Sequence, residues 1–125
     1  EMDFGTLPEV MAGIATRKVK WDRKYQAKHG IATGPARDLP DGMAARVARL
    51  ARRIYRALSL SGYARIDLRL RPDGGIFVLE ANANPNLAQI EDFSVSALSA
   101  GVGYDALLGR ILQLGLDYEV AWRQA

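Results

Sequence analysis

The stretch YARIDLRLRPDGGIFVLEANANPN, from Tyr63 to Asn86, contains two strand-like segments joined by a glycine-containing turn. Apolar and polar residues alternate along its first half, which predicts a strand, and the Asp73-Gly74 pair that follows is a strong hairpin-turn signal. If these two residues are the centre of the turn, Asp67 lies directly opposite Glu80 in an antiparallel pair. Two carboxylates in that position destabilise a sheet, so their pairing indicates a function rather than a contribution to stability.

The predicted register also fixes which side chains share a face of the hairpin. It places Glu80 and Asn82 on the same face as Arg65 and Asp67, with Arg65 opposite Asn82. The other face is apolar, and its predicted members are Ala64, Ile66, Leu68, Leu70, Phe77, Leu79 and Ala81. We expect helices to cover that apolar face.

The charged face of the hairpin offers three oxygen ligands, Asp67, Glu80 and Asn82. Hard oxygen donors suit Mg²⁺ or Mn²⁺. A bridging Glu80 could hold two ions, with Asp67 on one and Asn82 on the other, which is the arrangement that enzymes use on transferring phosphates. The alternative is a structural cluster in which Arg65 and Arg69 neutralise the carboxylates without metal.

Length and composition bound the class of protein. The chain has 125 residues, 49% of them apolar, and we expect one domain over 1–125. It has no cysteine, which excludes disulfides and thiolate sites. Because no apolar run approaches the roughly 20 residues of a membrane span, and no targeting segment opens the sequence, we expect a cytoplasmic protein with no membrane partner. The first residue is Glu1 rather than methionine, so we expect a piece of a longer protein.

The remaining patterns predict an α+β fold, a mainly antiparallel sheet with helices packed on one face. Residues 1–40 are rich in turn formers, which favours brief strands or extended loop. A helix is predicted from Met43 to Leu60, with Asp41 as its cap and Ser61-Gly62 as its end. A short helix capped by Asp92 or Ser94 should run to about residue 100, and a last helix should run from about residue 105 to residue 116.

Arginines recur along the predicted helix at three- and four-residue spacing, at positions 46, 49, 53 and 56. This pattern predicts a solvated basic face, with a phosphate-binding patch as the alternative. No aromatic residues interleave the stripe, as single-strand binding would require, so no nucleic-acid partner is expected.

Five motifs resemble the carboxyl-terminal lobe of the ATP-grasp superfamily, in particular the D-alanine–D-alanine ligases and their relatives. The motifs are GYARIDLRL, VLEANANPN, KVKWD at Lys18–Asp22, AARVARLARRIYRALSLSGY and AGVGYDALLGRILQLGL. The resemblance covers nearly all of the chain. It implies an ATP-dependent carboxylate–amine ligase that acts through an acyl phosphate, with ATP and Mg²⁺ or Mn²⁺ as cofactors and two ions in the site.

The resemblance also implies roles for residues at matching positions. Asp67, Glu80 and Asn82 coincide with the magnesium ligands, and Arg65 with the arginine that stabilises the developing oxyanion. Lys20 coincides with a lysine that reaches the ATP phosphates, and its alternative is a surface lysine in a basic stretch. For the whole chain, the alternative is a non-catalytic binding module that keeps the hairpin as a salt-bridged scaffold.

Two positions depart from the pattern of the D-alanine ligases and bear on the substrates. Asn86 follows Pro85, where those ligases have a glycine whose backbone N–H binds the oxyanion. Glu91 stands where they place a serine near the second amino acid, and a carboxylate there repels a substrate carboxylate. We therefore expect small-molecule carboxylate and amine substrates, the amine being cationic or differently oriented. The resemblance further implies an amino-terminal lobe of the same protein as the partner of this chain.

Overall fold

The computed structural model describes residues 1–7, 14 and 16–119. Contacts divide the chain into two compact units, Glu1–Arg37 and Asp38–Ala125, and a single domain over 1–125 stays a prediction. The elements in chain order are β1 (Met2–Asp3), α1 (Arg17–Trp21), α2 (Arg23–His29), β2 (Ala32–Thr33), α3 (Met43–Ala57), β3 (Arg65–Leu70), β4 (Ile76–Asn82), α4 (Asp92–Ser99) and α5 (Tyr104–Leu116). Within the described part of the chain, no helix is long and apolar enough to cross a membrane.

The first unit contains two short helices where the sequence predicted only strands or extended loop. Thr16 caps α1 by accepting the N–H of Val19, and Asp22 caps α2 by accepting the N–H of Tyr25. Gly30, at φ 65°, ends α2 in the left-handed conformation, so this glycine, one of the turn formers of residues 1–40, terminates a helix. The antiparallel pair of β1 and β2 is present as well.

The second unit begins with α3, and both of its predicted ends need correction. The residue before Met43 is Gly42 at φ 73°, and no side chain caps the helix, so Asp41 is not the cap. The helix ends at Ala57 rather than Leu60, and Ser59 follows with a positive φ of 51°. A left-handed residue stops α-helix hydrogen bonding, which explains the earlier end.

Strands β3 and β4 form an antiparallel hairpin whose polar pairs are as predicted. Arg65 lies opposite Asn82, and Asp67 lies opposite Glu80. The turn itself is different from the prediction. The N–H of Gly74 donates to the carbonyl of Arg71, 2.9 Å away, so Pro72 and Asp73 are the central residues, and Gly74 follows with φ 80°. The loop therefore has three residues, with glycine in the left-handed position.

A β-bulge between the turn and the carboxylates restores the predicted pairing. The register shifts by one residue between Asp67 and Leu68, because Leu68 pairs with Val78 and Leu79 is the extra residue of β4. Near the turn, Phe77 consequently lies opposite Arg69. The prediction that Phe77 joins the apolar face is wrong, because Arg69 lies on the other face of β3, and Phe77 is 51% exposed. Leu79, the unpaired residue of the bulge, is 64% exposed.

Helices pack on this hairpin and on each other, which confirms the α+β class. Contacts join α3 to β4, and α4 to α5. The core of this unit contains Met43, Leu107 and the fully buried Pro85. The two carboxyl-terminal helices have nearly the predicted bounds, but the N-cap residue of α4 is Glu91 rather than Asp92 or Ser94, and its side chain makes no cap hydrogen bond.

Candidate functional site

Two carboxylates face each other across the hairpin, at the point where β4 leaves the bulge. Asp67 in β3 pairs with Glu80 in β4. Their side chains are 31% and 51% exposed, so the pair is accessible to small ligands. Alternation places Arg65 and Asp67 on one face of β3, away from the apolar Ile66 and Leu68. The hairpin therefore presents its like-charged pair on the face opposite to Ile66 and Leu68.

Arg65 is the cation that the structure brings to these carboxylates. Its Nε donates to Oδ1 of Asp67 at 2.8 Å, and its Nη2 donates to Oδ2 at 3.1 Å. The same Nη2 lies 4.0 Å from Oε1 of Glu80. The pKa of Arg65 is raised above its ordinary value, first by the hydrogen bonds to Asp67 and then by the charges of Asp67, Glu80 and Asp92, against the opposing effect of burial. A bidentate carboxylate fixes the plane of the guanidinium.

Asp92 was missed by the sequence prediction of the site and treated only as a helix cap. It lies in the first turn of α4, and its charge contributes to the raised pKa of Arg65. Asp92 is far from the hairpin in sequence, and only the packing of α4 in this unit brings it near Arg65. Sequence patterns therefore gave no reason to include it in the site. Its effect extends the negative charge around Arg65 beyond the two hairpin carboxylates.

Asn82 presents its amide oxygen from the end of β4. That oxygen accepts the backbone N–H of Asn84 at 2.9 Å, and a carbonyl oxygen has a second lone pair for another donor or a metal. The side chain of Asn84 in turn accepts the hydroxyl of Tyr63 at 3.2 Å, and the ring of Tyr63 contacts that of Phe93, with centroids 5.6 Å apart. These contacts hold the segment that follows Asn82.

Asn86 and Glu91 lie in the loop between β4 and α4, beyond the four hairpin residues. Asn86 is exposed, and its Oδ1 accepts the N–H of Ala88 at 3.0 Å. Glu91 is half-buried at the start of α4. The buried hydroxyl of Ser94 donates to the carbonyl of Leu87 at 3.0 Å and so anchors the same loop. Neither role predicted for Asn86 and Glu91 is tested by these contacts.

Lys20 belongs to the first unit, where its side chain is exposed on α1. Its backbone carbonyl accepts a hydrogen bond from the side-chain amide of Gln26 at 3.1 Å. The predicted phosphate-binding role of Lys20 stays a prediction.

The donor set on the hairpin fits a hard divalent cation. It consists of two carboxylates and one amide, and every ligand atom is oxygen, as Mg²⁺ and Mn²⁺ prefer. No group of three or more histidine, cysteine, aspartate or glutamate side chains forms a metal site among residues 1–7, 14 and 16–119. Mg²⁺ usually takes one or two carboxylates from a protein and completes its shell with water and phosphate oxygens.

The sequence of this chain is similar to the carboxyl-terminal part of known ligases. The family described as "D-ala D-ala ligase C-terminus" matches residues 8–113. Over 113 residues the chain is 34% identical to a D-alanine–D-alanine ligase of Lactobacillus acidophilus, which covers 90% of this chain and 30% of the relative. Over 110 residues it is 30% identical to a D-alanine–D-alanine ligase A of Mesorhizobium japonicum, with 88% and 30% covered.

A D-alanine–D-alanine ligase of Oleidesulfovibrio alaskensis is 38% identical over 78 residues, which cover 62% of this chain and 25% of the relative. The chain thus spans less than a third of the length of these relatives. With a match over most of its length, this chain belongs to the family of D-alanine–D-alanine ligase carboxyl-terminal domains, the carboxyl-terminal lobe of the ATP-grasp type.

Proposed function

We propose that this chain supplies the metal- and phosphate-binding part of an ATP-dependent carboxylate–amine ligase. The observation that carries the proposal is the direct pairing of Asp67 with Glu80, with Asn82 and Arg65 as the next pair along the hairpin. An unrelieved like-charge pair is unfavourable in a sheet, whereas a cation between the two carboxylates makes the same pair favourable. Membership of a ligase family supports this use of the pair.

Asp67, Glu80 and Asn82 would hold Mg²⁺ or Mn²⁺, with Glu80 shared between two ions. When bound, the ions neutralise phosphate oxygens and polarise the phosphorus that is attacked. Both oxygens of Asp67 already accept hydrogen bonds from Arg65, and each keeps a lone pair for a metal. Arg65 and a metal can therefore share Asp67.

Arg65 would bind the negative charge that develops on substrate oxygen. A guanidinium has five N–H groups, and the bidentate contact to Asp67 uses only two of them. The others remain able to donate to an oxyanion, while Asp67 holds the guanidinium in a fixed plane. Preorganised donors of this kind cost no reorganisation during the reaction, which is the basis of their catalytic effect.

The reaction has two steps. A carboxylate oxygen attacks the γ-phosphorus of ATP, so a P–O bond to ADP breaks and an acyl phosphate forms. The amine nitrogen then attacks the acyl carbon, and the resulting tetrahedral intermediate loses phosphate and a proton to give the amide. Arg65 would stabilise the oxyanion of that intermediate, and Lys20 would contact the ATP phosphates. Both side chains are cationic, so both can stabilise negative charge on oxygen.

Glu91 would restrict the amine substrate, and Asn86 would contribute to oxyanion binding. Glu91 adds a carboxylate to the loop that follows the metal ligands, and this charge disfavours an amino acid whose own carboxylate must approach. Asn86 would bring its backbone N–H to the oxyanion. A cationic or differently oriented amine therefore suits this loop better than D-alanine does.

The same proposal places the chain in a cytoplasmic protein, as one domain that closes on an amino-terminal lobe of the same protein. Residues 1–125 alone should then form no amide. Without the other lobe, the nucleotide would stay exposed to solvent, and only this lobe would stabilise the charge of the transition state. The second candidate is a non-catalytic module. One observation favours it, namely the bidentate contact of Arg65 with Asp67, which neutralises that carboxylate without metal.

ADP release by the full-length protein separates the two candidates. We expect release that requires Mg²⁺ and increases when a carboxylate and an amine substrate are supplied together from a panel of amino acids. A matched variant, Glu80→Gln, should lose that stimulation. ADP release that needs no Mg²⁺ would contradict the metal site, and no release with any pair in the panel would favour the salt-bridged module instead.

A further inference from the structure

A basic concavity lies on the side of the hairpin where α3 packs. It is lined by Arg46, Arg49 and Arg53, with Leu50 and Ile76 as apolar walls, and its volume is about 410 Å³. We name these five residues the arginine concavity. The concavity is open to solvent, so a small molecule can reach all three guanidinium groups at once.

The three arginines reach one place because of their spacing along α3. Positions separated by three, four and seven residues lie on one side of a helix, and seven residues extend about 10.5 Å along the axis. Helix α3 carries five arginines and no acidic residue over Met43–Ala57. Like charges at this spacing repel each other and destabilise a helix, so an anion among them would be favourable.

The described part of the chain provides no carboxylate for these three side chains. Among residues 1–7, 14 and 16–119, no carboxylate oxygen lies within 4.0 Å of Arg46, Arg49 or Arg53. By contrast, Arg65 pairs with Asp67, and Arg71 of the same unit pairs with Asp73 at 2.9 Å. The three exposed guanidinium groups are thus available to an external anion.

The arginine concavity is separate from the candidate metal site. Ile76 pairs with Leu70, which alternation places on the apolar face of β3, whereas Arg65 and Asp67 occupy the other face. A ligand in the concavity would therefore lie behind the hairpin, on the face away from the carboxylates. The proposed ligase chemistry does not use this surface.

We propose that the arginine concavity binds a small molecule that carries two or more phosphate groups. Guanidinium forks bind phosphate oxygens in pairs, and three of them over about 10 Å can engage more than one phosphate. Leu50 and Ile76 provide apolar surface for the organic part of such a molecule. Among the residues that the structure describes, no aromatic side chain lines the concavity, so this part of the chain offers no stacking platform of the kind that a single-stranded nucleic-acid site uses.

Pyrophosphate binding to the full-length protein tests this proposal. Inorganic pyrophosphate is titrated calorimetrically, without divalent cations, into the wild type and into two variants of equal charge change. The test variant replaces Arg46, Arg49 and Arg53 by glutamine. The matched control replaces Arg52, Arg56 and Arg110 by glutamine as well. These three residues do not line the concavity. Denaturation midpoints establish that both variants fold.

We expect the test variant to bind pyrophosphate at least about tenfold more weakly, since three charged donors are lost, and the control to stay within about twofold of the wild type. A second test variant with lysine at 46, 49 and 53 keeps the charge but loses the paired N–H donors of the guanidinium groups. Its affinity for pyrophosphate should lie between those of the glutamine test variant and the control. Equal losses in the glutamine test variant and the control, or no loss in either, would overturn the proposal. Tighter binding of a single-stranded RNA 12-mer than of pyrophosphate, dependent on the same three arginines, would also overturn it in favour of nucleic acid.

Discussion

Substitution of Glu80 by glutamine should reduce turnover of the full-length protein far more than substitution of Asn82 by aspartate. The first change removes one of the two opposed charges and leaves the shape of the side chain nearly unchanged. The second keeps an oxygen in place that can still accept the N–H of Asn84, which Asn82 now accepts at 2.9 Å. It also adds negative charge next to the cations, so binding of metal should persist.

The size of the first effect follows from the position of Glu80. Opposite unit charges about 4 Å apart, the separation of Glu80 Oε1 from Nη2 of Arg65, attract by about 4 kcal/mol at the effective dielectric constant of about 20 near a protein surface, and we take this, before screening, as the minimum attraction of Glu80 for a cation in the site. The Glu80 side chain is 51% exposed, so solvent screening reduces this to about 2–3 kcal/mol. That free energy corresponds to a loss of roughly 30- to 150-fold in kcat/KM. For Asn82→Asp we expect less than about tenfold, because an oxygen ligand remains.

The assay is substrate-stimulated ADP release at saturating nucleotide, measured over a titration of Mg²⁺. Glu80→Gln should also raise the Mg²⁺ concentration at half-maximal rate, which a purely structural role would not do. Thermal unfolding should show that both variants remain folded. If Asn82→Asp is the more damaging substitution at saturating Mg²⁺, the bridging role of Glu80 is wrong.

Three further predictions concern single residues of the full-length protein. Gly5→Ala should destabilise the first unit by about 2–4 kcal/mol, because Gly5 has φ 54° and an added Cβ would clash with the carbonyl oxygen of His29. Amide exchange measures this loss, and Gly34→Ala is the control, because a Cβ at Gly34 would have open space around it. Gly74→Ala should lower the unfolding free energy by about 1–2 kcal/mol in chemical denaturation, since its φ is 80° although space is available; no change would contradict the three-residue turn. Glu91→Ser should shift amine preference toward small zwitterionic amino acids, and an unchanged substrate profile would remove Glu91 from the substrate side.

The hairpin pairing was predicted correctly for a partly wrong reason. A two-residue turn centred on Asp73 and Gly74 gives the pair of Asp67 with Glu80, and so does the observed three-residue turn followed by a bulge. Turn residues leave a sequence signal, whereas a bulge at Leu79 leaves none that differs from ordinary alternation. The face of Phe77 was therefore mispredicted, although the carboxylates were not.

The first unit shows the limit of periodicity as a predictor. Helices α1 and α2 have five and seven residues, too few turns for an apolar stripe to emerge. Their signals were the caps Thr16 and Asp22 instead. In the candidate site, Arg65 and its carboxylates follow from strand alternation, but the contribution of Asp92 depends on how α4 packs, which no local pattern contains.

The position of bound Mn²⁺ shows whether Asp67, Glu80 and Asn82 are metal ligands. Crystals of the full-length protein with Mn²⁺ and a non-hydrolysable ATP analogue would locate the ions by anomalous scattering. We predict two peaks at the hairpin, within about 2.5 Å of oxygens of Asp67, Glu80 and Asn82, with Glu80 contacting both. Mn²⁺ bound elsewhere, with Asp67 and Glu80 neutralised only by arginine, would contradict the account.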